Sequence, residues 1–150
     1  MRVYLVIMDE TDEAATALRF ASRRAARTDG LVHLLALVPR QPFVAFGGIQ
    51  ATIEEEARAR AEALVTTAAG ALLSQGGQMP AISVKTGSGE QVIREYLAEH
   101  PEVSALVLGA ATGGGPGPLV SYFTGMAGHL PCPVYVIPGG LDDDALDKLG

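Results

Sequence analysis

The stretch Val103-Ser-Ala-Leu-Val-Leu-Gly-Ala-Ala-Thr-Gly-Gly-Gly-Pro-Gly-Pro118 decides the fold. Its first six residues, Val103 to Leu108, have the length and apolar content of a strand buried on both faces. The rest, Gly109 to Pro118, is a glycine-rich loop that hands the chain from that strand to the next helix. A buried strand followed by such a loop is what an open parallel sheet presents at its ligand-binding edge. The loop is therefore the first candidate for a ligand site.

On the amino-terminal side of this stretch, strand and helix signals alternate. Ser88-Gly-Glu-Gln91 is a capping box that opens a helix through Val92, Ile93, Tyr96 and Leu97, broken by Pro101. Ala81 to Thr86 alternates as a strand with one partly solvated side, which suits a sheet edge. Thr52-Ile-Glu-Glu55 is a second capping box, and Ile53, Ala57, Ala61, Leu64, Ala68 and Leu72 follow as one apolar stripe backed by Glu54/Arg58 and Glu56/Arg60 pairs. Gly76-Gly77 ends this longest helix. The connection before it, Pro39 to Ala51 with Pro42 and Gly47-Gly48, is long for a loop without a task. Its Phe43 to Phe46 segment reads equally as a lid over the crevice beside Leu37 or as packing on the long helix.

Leu31 to Val38, interrupted by His33 and closed by Pro39, is another strand. Thr11 caps the helix before it, with Asp12 and Glu13 at the positive end, Ala14, Leu18, Ala21 and Ala25 at helical spacing, and Asp29-Gly30 as the stop. Val3 to Met8, closed by Asp9 and Glu10, is a strand buried on both faces. On the carboxyl-terminal side, Leu119 to Leu130 forms a helix and Val134 to Ile137 a last strand between Pro133 and Pro138. Asp142 to Gly150 reads as an acidic, solvated tail, which places the domain at residues 1–141 and the tail at 142–150.

Five alternations with long crossovers predict an α/β fold, an open five-stranded parallel sheet with helices on both faces. If the first and fourth strands are central, the segments after the first, second and fourth strands line the crevice, placing Asp9, Leu37 and Gly109 there. With 150 residues, 48% hydrophobic and 19% charged, the chain is one self-folding domain. A net charge of -6, with Arg19, Arg23, Arg24 and Arg27 as the one basic cluster, argues against nucleic acid. The run Val3 to Met8 is too short for a signal peptide, and no apolar run spans a membrane. One cysteine, without a partner spacing, fits a reducing, cytoplasmic setting.

The chain carries no GxSxG elbow, HExxH, Walker GKS or pyrophosphatase-type SGGxDS loop, so it is not expected to be an enzyme. Cys132, between two prolines, reads as a packed residue rather than a nucleophile. His33, His100 and His129 are far apart in sequence and lack metal-pair spacing, and Asp142-Asp-Asp144 points three carboxylates in different directions. No metal site is expected.

Three segments resemble the universal stress protein family, and the likeness extends over essentially the whole chain. Val6-Ile-Met-Asp9, followed nine residues later by Leu18, looks like the family's first strand, acidic turn and helix. Val107-Leu108-Gly109 looks like its strand into the phosphate loop, and Leu130-Pro-Cys-Pro-Val134 like its entry to the last strand. The resemblance implies strand order 3-2-1-4-5, a homodimer, here through the edge strand Val134 to Ile137, and ATP held by a G-x2-G-x9-G-[ST] loop, with Mg²⁺ accompanying it. Asp9 would take the ribose and adenine-side position.

The loop itself departs from that motif. Matching the nine-residue spacer to Gly115 and Gly125 leaves only Met126 to Leu130 as helix, about 7 Å at roughly 1.5 Å per residue, too short to return along the sheet. Counting back from Pro131-Cys132-Pro133 instead puts Ser121 at the hydroxyl position, opening the helix, with Leu108 and Gly109 at the entry. Thr112 or Gly113 then takes the second glycine position and Val120 the third. Gly113, Gly114 and Gly115 offer backbone donors and the helix start a favourable dipole. Against phosphate, Pro116 and Pro118 each delete a donor, Val120 replaces a glycine, and Lys148 is the one cation after Leu97. Three readings follow: a stress-response module that binds ATP or another adenine nucleotide, a member that lost nucleotide and acts through dimerisation and protein contacts, and a slow ATP hydrolase that would need Asp9 to hold a metal.

Overall fold

A computed structural model describes residues 1–40 and 47–149, without the side chains of residues 47–51. The Phe43 to Phe46 lid expectation therefore lies outside the described residues. Strands β1 (Val3–Met8), β2 (Leu31–Val38), β3 (Ala81–Thr86), β4 (Ala105–Ala110) and β5 (Val134–Pro138) alternate with helices α1 (Asp12–Thr28), α2 (Gly47–Ser74), α3 (Gly89–Glu99), α4 (Pro118–Gly125) and α5 (Asp143–Leu149). The strands form one parallel sheet in the order β3-β2-β1-β4-β5.

All six residues of β1 are buried, because both its edges are paired and both its faces are covered. The alternation of the pleat separates two cores. Tyr4, Val6 and Met8 point to α1, α2 and α5, where Ala17, Ala21, Val65, Leu72 and Leu146 pack. Val3, Leu5 and Ile7 point to α3 and α4, against Ile93, Leu97, Val120 and Phe123. Each large aliphatic side chain so buried stabilises the fold by about 1.5–3 kcal/mol. Strand β3 lies at the sheet edge as expected, but its burial does not alternate: Ser83 and Val84 are partly covered and the other four residues are exposed. Among the described residues no helix is long and apolar enough to cross a membrane.

Local signals end the elements largely where expected. Thr11 caps α1, its hydroxyl accepting the Ala14 N–H at 3.2 Å, and Asp29 closes it in the left-handed conformation at φ 52°. Ser88 occupies the N-cap of α3, yet its side chain makes no capping bond.

Five expectations are corrected. Helix α2 begins at Gly47, so Thr52 and Glu55 lie inside it and cannot form a capping box. No proline interrupts Gly47 to Thr52, and each further residue adds a hydrogen bond to an existing helix. Its buried stripe runs through Ala61, Val65, Ala68, Ala69 and Leu72, whereas Ile53 is exposed. The ion pairs found there are Arg58–Glu62 at 3.2 Å and Arg60–Glu10 at 3.5 Å rather than those with Glu54 and Glu56.

Helix α4 opens at Pro118 and stops at Gly125, short of Leu130; a 3-10 turn, Ala127–His129, completes the path. Proline is pre-set for the first helical position, and Gly125 and Gly128 weaken its continuation. Residues 142–149 are not a solvated tail. Asp142 accepts the Ala145 N–H at 2.9 Å, Leu146 is fully buried, and Arg23 of α1 pairs with Asp147 at 2.6 Å and Asp143 at 3.1 Å. The basic cluster and the acidic terminus, distant in sequence, are partners across α1 and α5.

Candidate functional site

The chain runs outward from β1 through β2 to β3, then crosses to β4 and β5 on the other side. Between β1 and β4 the order reverses, and the crevice beyond the carboxyl ends of the strands opens there. Two hollows occupy it, sharing Asp9 and Leu119.

The larger hollow is a cleft of about 980 Å³ on the β2 and β3 side. Leu37 of β2 lines it with Asp9 and Arg40 just past the ends of β1 and β2, Ser88 and Glu95 from the start and body of the α3 segment, and Leu119 from α4. Its floor is apolar where Leu37 and Leu119 converge: a methyl group at Gly89 would lie 3.0 Å from a terminal carbon of each. Among the described residues Arg40 has no ion-pair partner, and the hydroxyls of Thr86 and Ser88, which also border the cleft, carry no hydrogen bond.

The smaller hollow is a niche of about 100 Å³ under residues 116–118. Asp9, Thr11 and Glu13 border it on one side, Leu108, Gly109 and Val120 on the other. The Asp9 Oδ1 accepts the Thr11 N–H at 2.9 Å and the Thr11 hydroxyl as well, so one carboxylate oxygen is fixed by the turn that starts α1.

The predicted site residues divide accordingly. Asp9 and Leu37 reach the cleft, and Asp9, Leu108 and Gly109 reach the niche. Thr112, Gly113 and Gly115 border neither hollow; they are exposed on a turn that closes on itself, the Ala111 N–H donating to the Pro116 carbonyl at 3.1 Å. Gly114 and Gly115 adopt φ 69° and 94°, values that side chains other than glycine rarely take, so the glycines serve this turn. Ser121 does not open α4. It sits in the helix with its N–H bonded to the Gly117 carbonyl at 3.1 Å, and Val120 is core.

Gly109 has a packing reason of its own. A methyl group there would lie 2.0 Å from the Glu13 carbonyl oxygen, so only glycine lets α1 rest on β4. Gly139 is similarly confined, and its carbonyl accepts the Thr16 hydroxyl at 2.9 Å.

Arg40, Thr86, Ser88 and Glu95 were not predicted. Arg40 was legible as a cation two residues past the end of β2, and Ser88 as the N-cap position two residues past the end of β3. The loop after β3 joins the crevice because α3 crosses back over the sheet.

Behind the cleft, the far half of α3 is fastened to the sheet by aromatic groups. The Tyr96 hydroxyl and His33 Nδ1 are 2.9 Å apart, and the His100 ring stacks on Tyr96 at 3.8 Å. His33 and His100, separated by 67 positions, lie with ring centroids 6.2 Å apart. Burial lowers the His33 pKa below 6.5, assisted by His100 and opposed by Glu102. Burial also raises the Tyr96 pKa, against a bond to Ser83. Cys132 is half-buried and its thiol is pushed up by burial, which weakens it as a nucleophile.

Residues 1–138 match the sequence model described as the universal stress protein family. Among solved structures the chain is similar to the universal stress protein UspA from Lactobacillus plantarum, at 23% identity and TM-score 0.77 over 91% of this chain and 97% of that one. It is also similar to a universal stress protein family protein from Arabidopsis thaliana with AMP bound, at 18% identity and TM-score 0.67 over 96% and 94%. A universal stress protein in complex with cAMP matches at 13% identity and TM-score 0.58 over 93% and 98%. At such identities these likenesses bear on the fold. No curated protein sequence matches the chain.

Proposed function

Because the chain belongs to the universal stress protein family, we propose that it is a cytoplasmic stress-response module that binds an adenine nucleotide in the cleft beside Asp9 and signals occupancy without turnover. The observation that carries this reading is the cleft itself. At about 980 Å³ it lies at the switch point, has an apolar floor at Leu37 and Leu119, and offers unengaged polar groups at Arg40, Thr86 and Ser88. A planar base suits such a floor, and a ribose suits a carboxylate and hydroxyls at the rim. Two structurally similar proteins are described with AMP and cAMP.

Binding without turnover is supported by Asp9. Its Oδ1 is engaged by two donors from Thr11, which sets the group up to orient a ligand rather than to carry a metal through a hydrolytic step. Mg²⁺ would enter only with bound ATP. For the homodimer, β5 supplies an edge with Val136 at 37% exposure, beside an apolar groove lined by Phe20, Tyr135, Leu141 and Leu149.

Freshly purified protein, denatured and analysed by mass spectrometry, should release an adenine nucleotide, and calorimetric titration with AMP should saturate at one site per chain. No released nucleotide together with no binding at millimolar AMP would favour the protein-contact reading instead. Release of inorganic phosphate from ATP at a rate abolished by Asp9→Asn would favour the hydrolase. A monomer at all concentrations in sedimentation would remove the β5 interface.

A further inference from the structure

We infer that the site discriminates by phosphate number, accepting adenosine or its monophosphate and rejecting the triphosphate. The inference rests on the proposed adenine-nucleotide cleft and specifies what that cleft takes. A phosphate chain leaving the cleft past Asp9 toward the loop meets the niche of about 100 Å³. That is about a tenth of the volume of the cleft.

Donors are equally few. Pro116 and Pro118 have no N–H, the Ala111 amide is bonded to the Pro116 carbonyl, and the Ser121 amide is bonded to Gly117. Gly113 to Gly115 are displaced onto the exposed turn. The first turn of α4 leaves the amides of Leu119 and Val120, and the Gly117 amide just before it adds a third donor at the niche, a set suited to one phosphate.

Charge acts in the same direction. Asp9 and Glu13 border the niche and no lysine or arginine does. Arg40 sits across Asp9, in the cleft. One phosphate can remain at the mouth, between Arg40 and the α4 amides, whereas each further phosphate is driven toward the acidic lining that Asp9 and Glu13 give the niche.

The test is a titration of the intact protein with adenosine, AMP, ADP and ATP, each with and without Mg²⁺. The expected result is AMP binding at least tenfold tighter than ATP in both conditions, with ADP between them. ATP binding as tightly as AMP, with or without Mg²⁺, would overturn the discrimination while leaving the cleft reading intact. Absence of binding by all four at millimolar concentration would overturn both.

A second arm uses Glu13→Gln, which keeps the backbone that packs on Gly109 and removes one niche charge. The AMP-to-ATP ratio should fall at least threefold with AMP affinity nearly unchanged. A ratio that does not move in a variant with unaltered thermal unfolding would overturn the electrostatic basis.

Discussion

The two sides of Asp9 are built from different materials. On the cleft side, the space around Gly89 is bounded by the mobile ends of Leu37 and Leu119; on the niche side, the space around Gly109 is bounded by the backbone of α1. Side-chain ends can yield to a ligand, but a helix backbone seated on a strand cannot. Hence, for the proposed nucleotide, the wall that adapts is the one that would face the base and ribose, and the wall that resists is the one that would face the phosphates. A glycine that resembles a ligand-binding position turns out to be fixed by packing.

The contrast is broken most directly at Gly109. Gly109→Ala should destabilise the fold by about 3 kcal/mol or more, since the clash is with main chain, and lower Tm by roughly 6–12 °C for a domain of this size. Thermal unfolding with little change would show that α1 can lift from β4 and that the niche is softer than its geometry indicates.

Next in size is an acid effect on the adaptable side, where His33 and Tyr96 hold α3 to the sheet. His33 has a native pKa below 6.5, so the unfolded chain takes up its proton first as pH falls. Stability from this group is complete above pH 6.5 and declines below it until the native pKa is reached. Urea midpoints across this range should show the fall, and His33→Gln should flatten it. Tyr96, His100, Ser83 and Glu102 are the polar and charged neighbours that modulate it.

Gly89→Ala should change stability by less than about 1 kcal/mol, because two leucine termini can shift and alanine favours the helix. It should nevertheless weaken AMP binding several-fold by raising the cleft floor. Unaltered affinity would move the base away from Leu37 and Leu119.

The smallest effect is expected at Gly113, where a methyl group meets nothing within 4 Å and φ is not positive. Gly113→Ala should leave AMP affinity unchanged and stabilise the protein by about 0.4–1 kcal/mol, measurable by chemical denaturation. Lost affinity would return that glycine to the phosphate cradle.

The sheet was legible in the sequence because strands buried on both faces leave largely apolar runs, broken in Leu31 to Val38 by His33 alone. Val3 to Met8 and Leu31 to Val38 begin and end where those runs do. The strand order came with the family resemblance, and the structure has it. Less legible were features set by long-range contact. The helix at Asp143 depends on Arg19 and Arg23 and on a pocket for Leu146, which an acidic segment does not reveal by itself. The positions of Thr112, Gly113 and Ser121 depend on a turn that folds outward, closed by the Ala111–Pro116 bond, before α4 starts at Pro118, and motif spacing does not encode that turn. Arg40 was not legible as a site residue because its place in the cleft depends on how the chain leaves β2, far in sequence from the glycine-rich loop.

The strand order also sets a schedule for synthesis. One edge of β1 finds β2 once Val38 has emerged, but its other edge waits for β4, which starts at Ala105. At about 5–20 residues per second, that interval lasts roughly 3–13 s, during which the most apolar strand in the protein has a bare flank. A nascent chain of this protein is thus most exposed to misassociation, and most dependent on whatever shields it at the ribosome, between its second strand and its fourth.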